Sequence, residues 1–164
     1  MNGAFGMATA APTAEDRLAT LGIRLPAAPT PFGAYVPAVQ TGNLLFLSGM
    51  VATSGHAATA VGTVDKDLDV TAGRGGGAHG RAQRARAGEE ATRPLNRVSR
   101  VVRLGVYVAA TPEFAEHPKV ADAASELLRD DFGEEAVSAR LVFGASSLPL
   151  GSPVEVEVIL EVKP

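Results

Sequence analysis

The segment from residue 153 to residue 162 has the most restrictive pattern in the chain, a strict alternation of apolar and mostly charged residues. Successive side chains of a β-strand point to opposite faces, so a period of two predicts a strand with one buried face. The chain is therefore expected to build a β-sheet around this strand. The apolar positions are Val154, Val156, Val158, Leu160 and Val162, and the positions between them are Glu155, Glu157, Ile159 and Glu161.

The first third of the chain predicts a short helix and a β-hairpin. Thr13 followed by acidic residues is typical of a helix N-cap and predicts a helix over residues 14–21 that stops at Gly22. Residues 35–40 and 44–51 flank a Thr-Gly-Asn turn, which predicts a hairpin. The second hairpin strand is apolar on both faces, so we expect both faces to be buried.

The second half of the chain predicts a strand, a helix and another strand. The apolar pattern over residues 98–109 indicates a strand, and residues 138–145 indicate the next one. Between them, Thr111 and the proline after it predict the start of a helix that reaches Phe132. The expected inward-facing residues of this helix are Phe114, Val120, Ala124, Leu127 and Leu128.

Residues 73–94 interrupt this pattern. The segment has no Val, Ile, Leu, Met, Phe, Tyr or Trp, and it holds five arginines and six glycines. Such a composition is typical of a solvated segment that supplies no core face. A helix cap is nevertheless predicted just before it, in residues 65–71. Two explanations stay open: a mobile Arg/Gly-rich loop, or a compensated frameshift that has replaced a first long helix between Thr71 and Asn96.

The bulk composition limits the number of domains and the class of partner. The chain has 164 residues, of which 46% are apolar, and this predicts a single domain at residues 13–164 after a disordered tail at residues 1–12. The formal net charge is -3 and the pI about 5.6, so no global positive field attracts a nucleic-acid backbone. The central arginines lack interleaved aromatic residues for base stacking. Nucleic acid is therefore not an expected partner.

Cysteine and histidine usage excludes further kinds of site. A chain without Cys has no disulfide and no thiolate nucleophile, and His56, His79 and His117 lack metal-ligand spacing, so no metal is expected. We interpret His56 and His117 as surface residues. No apolar run approaches the roughly 18 residues of a membrane span, and no leader pattern is recognisable, which predicts a cytoplasmic protein without a membrane partner.

Arg140 and two glutamates are the first candidate site residues. Arg140 opens a strand among apolar neighbours, where a guanidinium needs an anionic or carbonyl partner. One interpretation is a structural ion pair with Glu155 or Glu157. The other is a bidentate clamp for a substrate carboxylate, with a glutamate of the next strand polarising a water molecule.

Tyr35, Ser48 and Gly49 are the remaining candidates. Tyr35 follows the turn at residues 31–34 and offers a phenol to the same cleft, although a packed tyrosine is the commoner outcome. Ser48 and Gly49 interrupt an apolar strand, which indicates a bulge or a close approach of the backbone.

Together these residues resemble the reactive intermediate deaminase (Rid) family, also called the YjgF or L-PSP endoribonuclease family. The resemblance covers residues 13–162 except 73–94, where the family has its first helix. The subgroup it is most similar to has an extra N-terminal helix. The motifs that carry it are residues 31–39 (PFGAYVPAV), residues 42–49 (GNLLFLSG), Ala139-Arg140 and residues 147–157 (SLPLGSPVEVE).

The resemblance implies a chorismate-mutase-like α+β fold. In such a fold a mixed sheet of about six strands has two helices packed on one face, and the protein assembles as a homotrimer with clefts between subunits. The implied reaction is the cofactor-independent hydrolysis of small 2-enamino or 2-imino acids to 2-keto acids and ammonia. Arg140 would hold the substrate carboxylate and Glu155 would help to activate water, while Tyr35, Ser48 and Gly49 would line the pocket.

The chain also departs from the deaminase pattern. Leu141 stands where a small Ser follows the arginine, and Met50 stands where a Gln is usual. The asparagine of the second helix has no clear match, since Ala121 or Asp122 falls near its position. Two other functions stay open: a non-catalytic trimeric binder of small carboxylate metabolites, and an endoribonuclease or translation inhibitor, against which the acidic pI argues.

Overall fold

A mixed β-sheet is the centre of this computed structural model, which describes residues 12–22, 33–75, 95–134 and 137–164. The helices in this part of the chain are α1 (Ala14–Thr20) and α2 (His117–Phe132), and residues 70–75 are also helical. The strands are β1 (Ala38–Thr41), β2 (Leu44–Val51), β3 (Thr53–Ser54), β4 (Ala57–Ala58), β5 (Val98–Ala109), β6 (Ala139–Ala145) and β7 (Val154–Val162).

The main sheet has the strand order β1-β2-β7-β5-β6, and β3 and β4 form a separate two-stranded ribbon. β5 and β6 are parallel, whereas the other neighbours in the main sheet are antiparallel. A parallel pair needs a crossover, and α2 provides it. The predicted α+β architecture with a mixed sheet is confirmed. About six strands were expected, and the described residues place five in the main sheet.

The core lies on one face of this sheet. The five apolar residues of β7 are all 3% exposed or less, as their alternation predicted. They pack with apolar residues of β5 and with the inner side of α2, so that the helix covers the sheet. The central members of this cluster are Leu104, Val106, Val108, Val120, Ala121 and Ala124.

Two further helical segments lie against α2 or the core. α1 begins with a capping box, in which Thr13 and Asp16 exchange side-chain to backbone hydrogen bonds, and this confirms the predicted N-cap. The helix over residues 70–75 also has an N-terminal cap, in which the Oδ1 of Asp69 accepts a hydrogen bond from the amide of Ala72 at 2.7 Å. Gly73 is buried against Val64 and Val120. The start of the Arg/Gly-rich segment is therefore helical and docked on the core.

The opposite face of the sheet corrects one prediction. β2 was expected to be buried on both faces, but its outward-facing Phe46 is 39% exposed. Val39 of β1 and Phe143 of β6 are also exposed. The reason is that the described helices cover only the other side of the sheet. We call this side the open face.

The first turn of α2 also differs from the prediction. The helix begins at His117 instead of Thr111, with Pro118 in its first turn, where the missing amide hydrogen costs nothing. Thr111 instead closes a tight turn, accepting a hydrogen bond from the amide of Phe114 at 3.1 Å. β1 likewise begins at Ala38, because Pro37 before it has no amide hydrogen for a strand ladder.

Several predictions fall outside the described residues. They are the tail over residues 1–11, the proline-rich segment 23–32 and the part of the anomalous segment from 76 to 94, including both explanations offered for it. No helix in the described ranges is long and apolar enough to cross a membrane.

Candidate functional site

The open face carries the candidate carboxylates in its middle strand. Glu155 of β7 lies in register between Val51 of β2 and Tyr107 of β5, and Glu157 lies beside Gly105. Both glutamates are half-buried and point away from the valines of the same strand. The alternation seen in the sequence thus places these two candidate carboxylates, together with Glu161, on the open face.

Gly49 lies beside one of these carboxylates, that of Glu155. The pairing of β2 and β7 shifts between Leu47 and Met50, so a bulge lies at this point of β2. A methyl group at Gly49 would lie 2.5 Å from the Oε1 of Glu155. The position therefore admits only glycine while the Glu155 side chain keeps this place, in agreement with the close approach predicted from the Ser48-Gly49 pair.

Ser48 ties the segment before β1 to the bulge. Its hydroxyl donates to the carbonyl oxygen of Val36 at 2.7 Å, and its amide donates to that of Pro37 at 2.9 Å. Tyr35 precedes these two residues and is 48% exposed. The structure therefore places Tyr35, Ser48, Gly49 and Glu155 on adjacent segments at one end of the sheet.

Tyr107 is a residue of this face that sequence reasoning missed. Its hydroxyl donates to the Oε2 of Glu157 at 3.1 Å, and its ring contacts that of Phe143 with centroids 6.0 Å apart. Tyr107 occupies one of the outward-facing positions that alternate along β5. This period of two was the sequence signal that could have placed Tyr107 on the open face. Burial raises the pKa of the Tyr107 phenol above its ordinary value of 10.0, and the hydrogen bond to Glu157 raises it further.

This shift predicts a late alkaline titration of Tyr107. Because the folded pKa is raised, the neutral phenol contributes stability that is present below pH 10.0 and is lost as pH rises through the folded value. The chain has two tyrosines, so subtracting the phenolate absorbance of Tyr107→Phe from that of the unsubstituted protein isolates this group. We expect a midpoint above 10.0, and a midpoint at or below it would contradict the assignment.

Arg140 lies apart from these residues. It is level with the buried Leu104 in the parallel β5–β6 pair, so it points to the helix side of the sheet. Its Nη1 donates to the Oδ1 of Asp122 at 2.7 Å and to the hydroxyl of Ser125 at 3.1 Å. Its partner is thus an aspartate of α2. The interpretation that paired Arg140 with Glu155 or Glu157 is wrong, because those two carboxylates lie on the other side of the sheet.

One chain therefore holds two halves of the expected site. β6 is two strands away from β7, a lateral distance of about 10 Å, and Arg140 and Glu155 extend from opposite faces. The structure brings Glu155 together with Gly49 but does not bring Arg140 to either of them.

His117 is not the surface residue that was expected. Its ring packs edge-on against Phe114 with centroids 4.8 Å apart, and its Nε2 lies where a side chain on Gly144 would be. His56, in contrast, is exposed as predicted. In the described ranges, no three His, Asp or Glu side chains form a group suited to a metal ion.

Comparison with known proteins gives the chain its family. Protein TCP17 of Trypanosoma cruzi is 37% identical over 145 residues, which are 88% of this chain and 91% of that protein. The structure of Atu1372 from Agrobacterium tumefaciens is 32% identical, with a TM-score of 0.83 over 92% of both chains. A "putative endoribonuclease" from Shewanella oneidensis is 27% identical, with a TM-score of 0.87 over 92% of this chain and all of that one.

The family model that matches covers nearly the whole described domain. It spans residues 15–162 and bears the description "YjgF/chorismate_mutase-like, putative endoribonuclease". The match includes the β2 bulge, α2, Arg140, Glu155 and Glu157. The chain belongs to the YjgF/chorismate-mutase-like endoribonuclease family.

Proposed function

We propose that the protein hydrolyses small 2-enamino or 2-imino acids to 2-keto acids and ammonia, without a cofactor, in clefts between the subunits of a homotrimer. The observation that carries the proposal is the division of the site within one chain. Arg140 at the β6 edge offers a cation for a carboxylate, and Glu155 above Gly49 offers a base. Neither half is sufficient by itself, and a neighbouring subunit can supply the missing one.

The proposed reaction needs few groups from the protein, and two side chains have roles in it. A proton from solvent added at C3 of 2-aminoacrylate gives the iminium form of the 2-imino acid, and water then adds to C2 while Glu155 accepts a proton from it. Glu155 returns this proton to the nitrogen of the carbinolamine, the C–N bond breaks, and ammonia leaves as the C2 carbonyl forms and the hydroxyl proton returns to solvent. Arg140 holds the carboxylate so that C2 faces the water, and most of the rate gain comes from this orientation.

The open face supports assembly. It presents apolar residues from three strands around the half-buried glutamates, and such a surface is typical of an interface between protein chains. In the proposed trimer this face of each subunit would be covered by a neighbour. The exposed apolar residues are Val39, Phe46, Leu141 and Phe143.

Phe143→Asp is expected to break this assembly. A carboxylate placed in the apolar interface has no partner there and is costly to desolvate. Light scattering should give about three times the 16.8 kDa chain mass for the unsubstituted protein and a smaller mass for the variant. Leu21→Asp, an exposed position at the end of α1, is the matched control and should keep the trimer. A monomeric unsubstituted protein would contradict the shared cleft.

A non-catalytic binder of small carboxylates is the second candidate. The departures at Met50 and Leu141 favour it, because they change two residues beside the implied catalytic positions. Two structural relatives bear the name "putative endoribonuclease", but the carboxylates of the open face would repel a phosphate backbone, and the net charge of -3 adds to this.

The test is ammonia release from 2-aminoacrylate generated in the assay by a dehydratase acting on serine. We expect release above the buffer rate, in proportion to the concentration of this protein and equimolar with the keto acid. Binding of pyruvate without any increase in rate would identify the binder. Cleavage of RNA by the same preparation, with no deamination, would identify a nuclease.

A further inference from the structure

Asp122 binds Arg140 through one nitrogen of the guanidinium, the Nη1. The ion pair is 2.7 Å long, and the two side chains are 26% and 45% exposed, so that solvent reaches both. Asp122 and Ser125 both use the Nη1 of Arg140. Within the described part of the chain, the Nε and Nη2 of Arg140 make no hydrogen bond. One edge of the guanidinium is therefore held by the protein, and the other makes no hydrogen bond to the described residues.

The packing of α2 keeps Asp122 in this position. Ala121 and Ala124, its neighbours on the helix, are buried in the core, so the helix has no freedom to turn Asp122 away from β6. Arg140 is fixed on the sheet side by its place beside Leu104 in the β5–β6 pair. The backbone of α2 thus holds Asp122 beside Arg140.

We propose that Asp122 determines the charge specificity of the Arg140 site, directing it to substrates with a single carboxylate and against substrates with a second acidic group. The inference rests on the proposed function and names its substrate class. With Asp122 present, the pair is neutral before a ligand binds. One carboxylate brings the local charge to -1 and a dicarboxylate brings it to -2, against 0 and -1 if residue 122 were uncharged.

The same pair directs how the substrate is held. Because the Nη1 is occupied, a carboxylate meets Arg140 side-on, through the Nε and Nη2, a bidentate arrangement with two parallel hydrogen bonds. Asp122 acts on the substrate only through Arg140 and through its own charge. It is a specificity-determining residue, with no part in the bond-making steps.

The experiment compares a charged and a neutral ligand of the same shape. Calorimetric titration of the trimer gives the affinities for pyruvate and for pyruvamide. A change in packing around the site affects both ligands alike, so the ratio of the two affinities isolates the effect of charge. We expect Asp122→Asn to raise the affinity for pyruvate about five- to thirty-fold and to change that for pyruvamide less than two-fold, with the gain shrinking at high salt. For 2-oxoglutarate, the gain should be larger than for pyruvate.

Matched variants separate the possible outcomes. Asp130→Asn removes the same charge further along α2, where the aspartate pairs with Arg129, and it should leave the ratio unchanged. Asp122→Ser repeats the test with a different side chain, should the asparagine variant misfold. An unchanged ratio in a folded Asp122 variant, or an equal gain for both ligands, would overturn the inference.

The variant Arg140→Ala distinguishes a failure of this inference from a failure of the proposed function. If it abolishes pyruvate binding while Asp122→Asn has no effect on the ratio, the charge specificity is wrong and the Arg140 site stands. If pyruvate binds neither the unsubstituted protein nor any variant, or if Arg140→Ala leaves binding intact, the carboxylate role of Arg140 fails and the inference fails with it.

Discussion

Arg140→Ala is expected to lower kcat/KM for 2-aminoacrylate by about 10²- to 10⁴-fold. A side-on carboxylate clamp has two hydrogen bonds between charged groups, each contributing about 1.5–3 kcal/mol, and every 1.4 kcal/mol is a factor of ten. The measurement is the initial rate of ammonia release at several substrate concentrations, since loss of orientation lowers kcat as well as raising KM.

Arg140→Lys is the companion variant, because it keeps the charge but loses the planar fork. We expect it to recover only part of the activity. Neither substitution should unfold the protein, since the partner left behind, Asp122, is 45% exposed and can be solvated by water. Unchanged kcat/KM in Arg140→Ala would remove the arginine from the mechanism.

Gly49→Ala should reduce activity by about 10²-fold while leaving the folded state almost as stable as before. The added methyl group would lie 2.5 Å from the Oε1 of Glu155 and 3.3 Å from its Cδ. The end of a glutamate side chain moves easily, so the carboxylate is displaced and the backbone is not. A general base contributes about 10²- to 10⁴-fold, and a misplaced one loses much of that. The loss of activity in Glu155→Gln is the reference for this comparison, because that variant removes the base itself.

Gly105→Ala is the matched control, because it is another glycine on the open face beside a β7 glutamate. A methyl group there would lie 3.5 Å from the Cβ of Glu157, an ordinary contact. We expect activity close to that of the unsubstituted protein. Thermal denaturation of both variants completes the comparison, and an inactive Gly49→Ala that has also lost its folded state would contradict a displacement confined to Glu155.

The periodicity of the sequence was a good guide to elements that pack against the core. The alternation in β7 predicted its buried and outward faces residue by residue, because successive side chains of a strand point to opposite faces of the sheet. Thr13 marked one helix start, and the cap expected within residues 65–71 marked a second, where the structure identifies Asp69 as the capping residue. A side-chain acceptor at such a position satisfies amides that a helix leaves free. The start of α2 was missed because both Pro112 and Pro118 suit a first turn.

The family motifs identified the candidate residues, but not how one chain arranges them. Arg140 and Glu155 belong to consecutive strands in the sequence, which made a direct pair between them reasonable. β5 inserts between those two strands in the sheet, and the parallel register then turns Arg140 toward α2. Neither strand order nor register can be obtained from local spacing, since both depend on contacts between distant segments.

The sequence by itself determined the fold class, the family and the two faces of β7, because these depend on local periodicity and on motifs in continuous segments. Only the tertiary structure decided that Arg140 pairs with Asp122, that Glu155 lies over Gly49, and that Tyr107 bonds to Glu157. Each of these contacts joins residues from different strands or helices, so it follows from the order in which the elements pack and from the face to which each one turns.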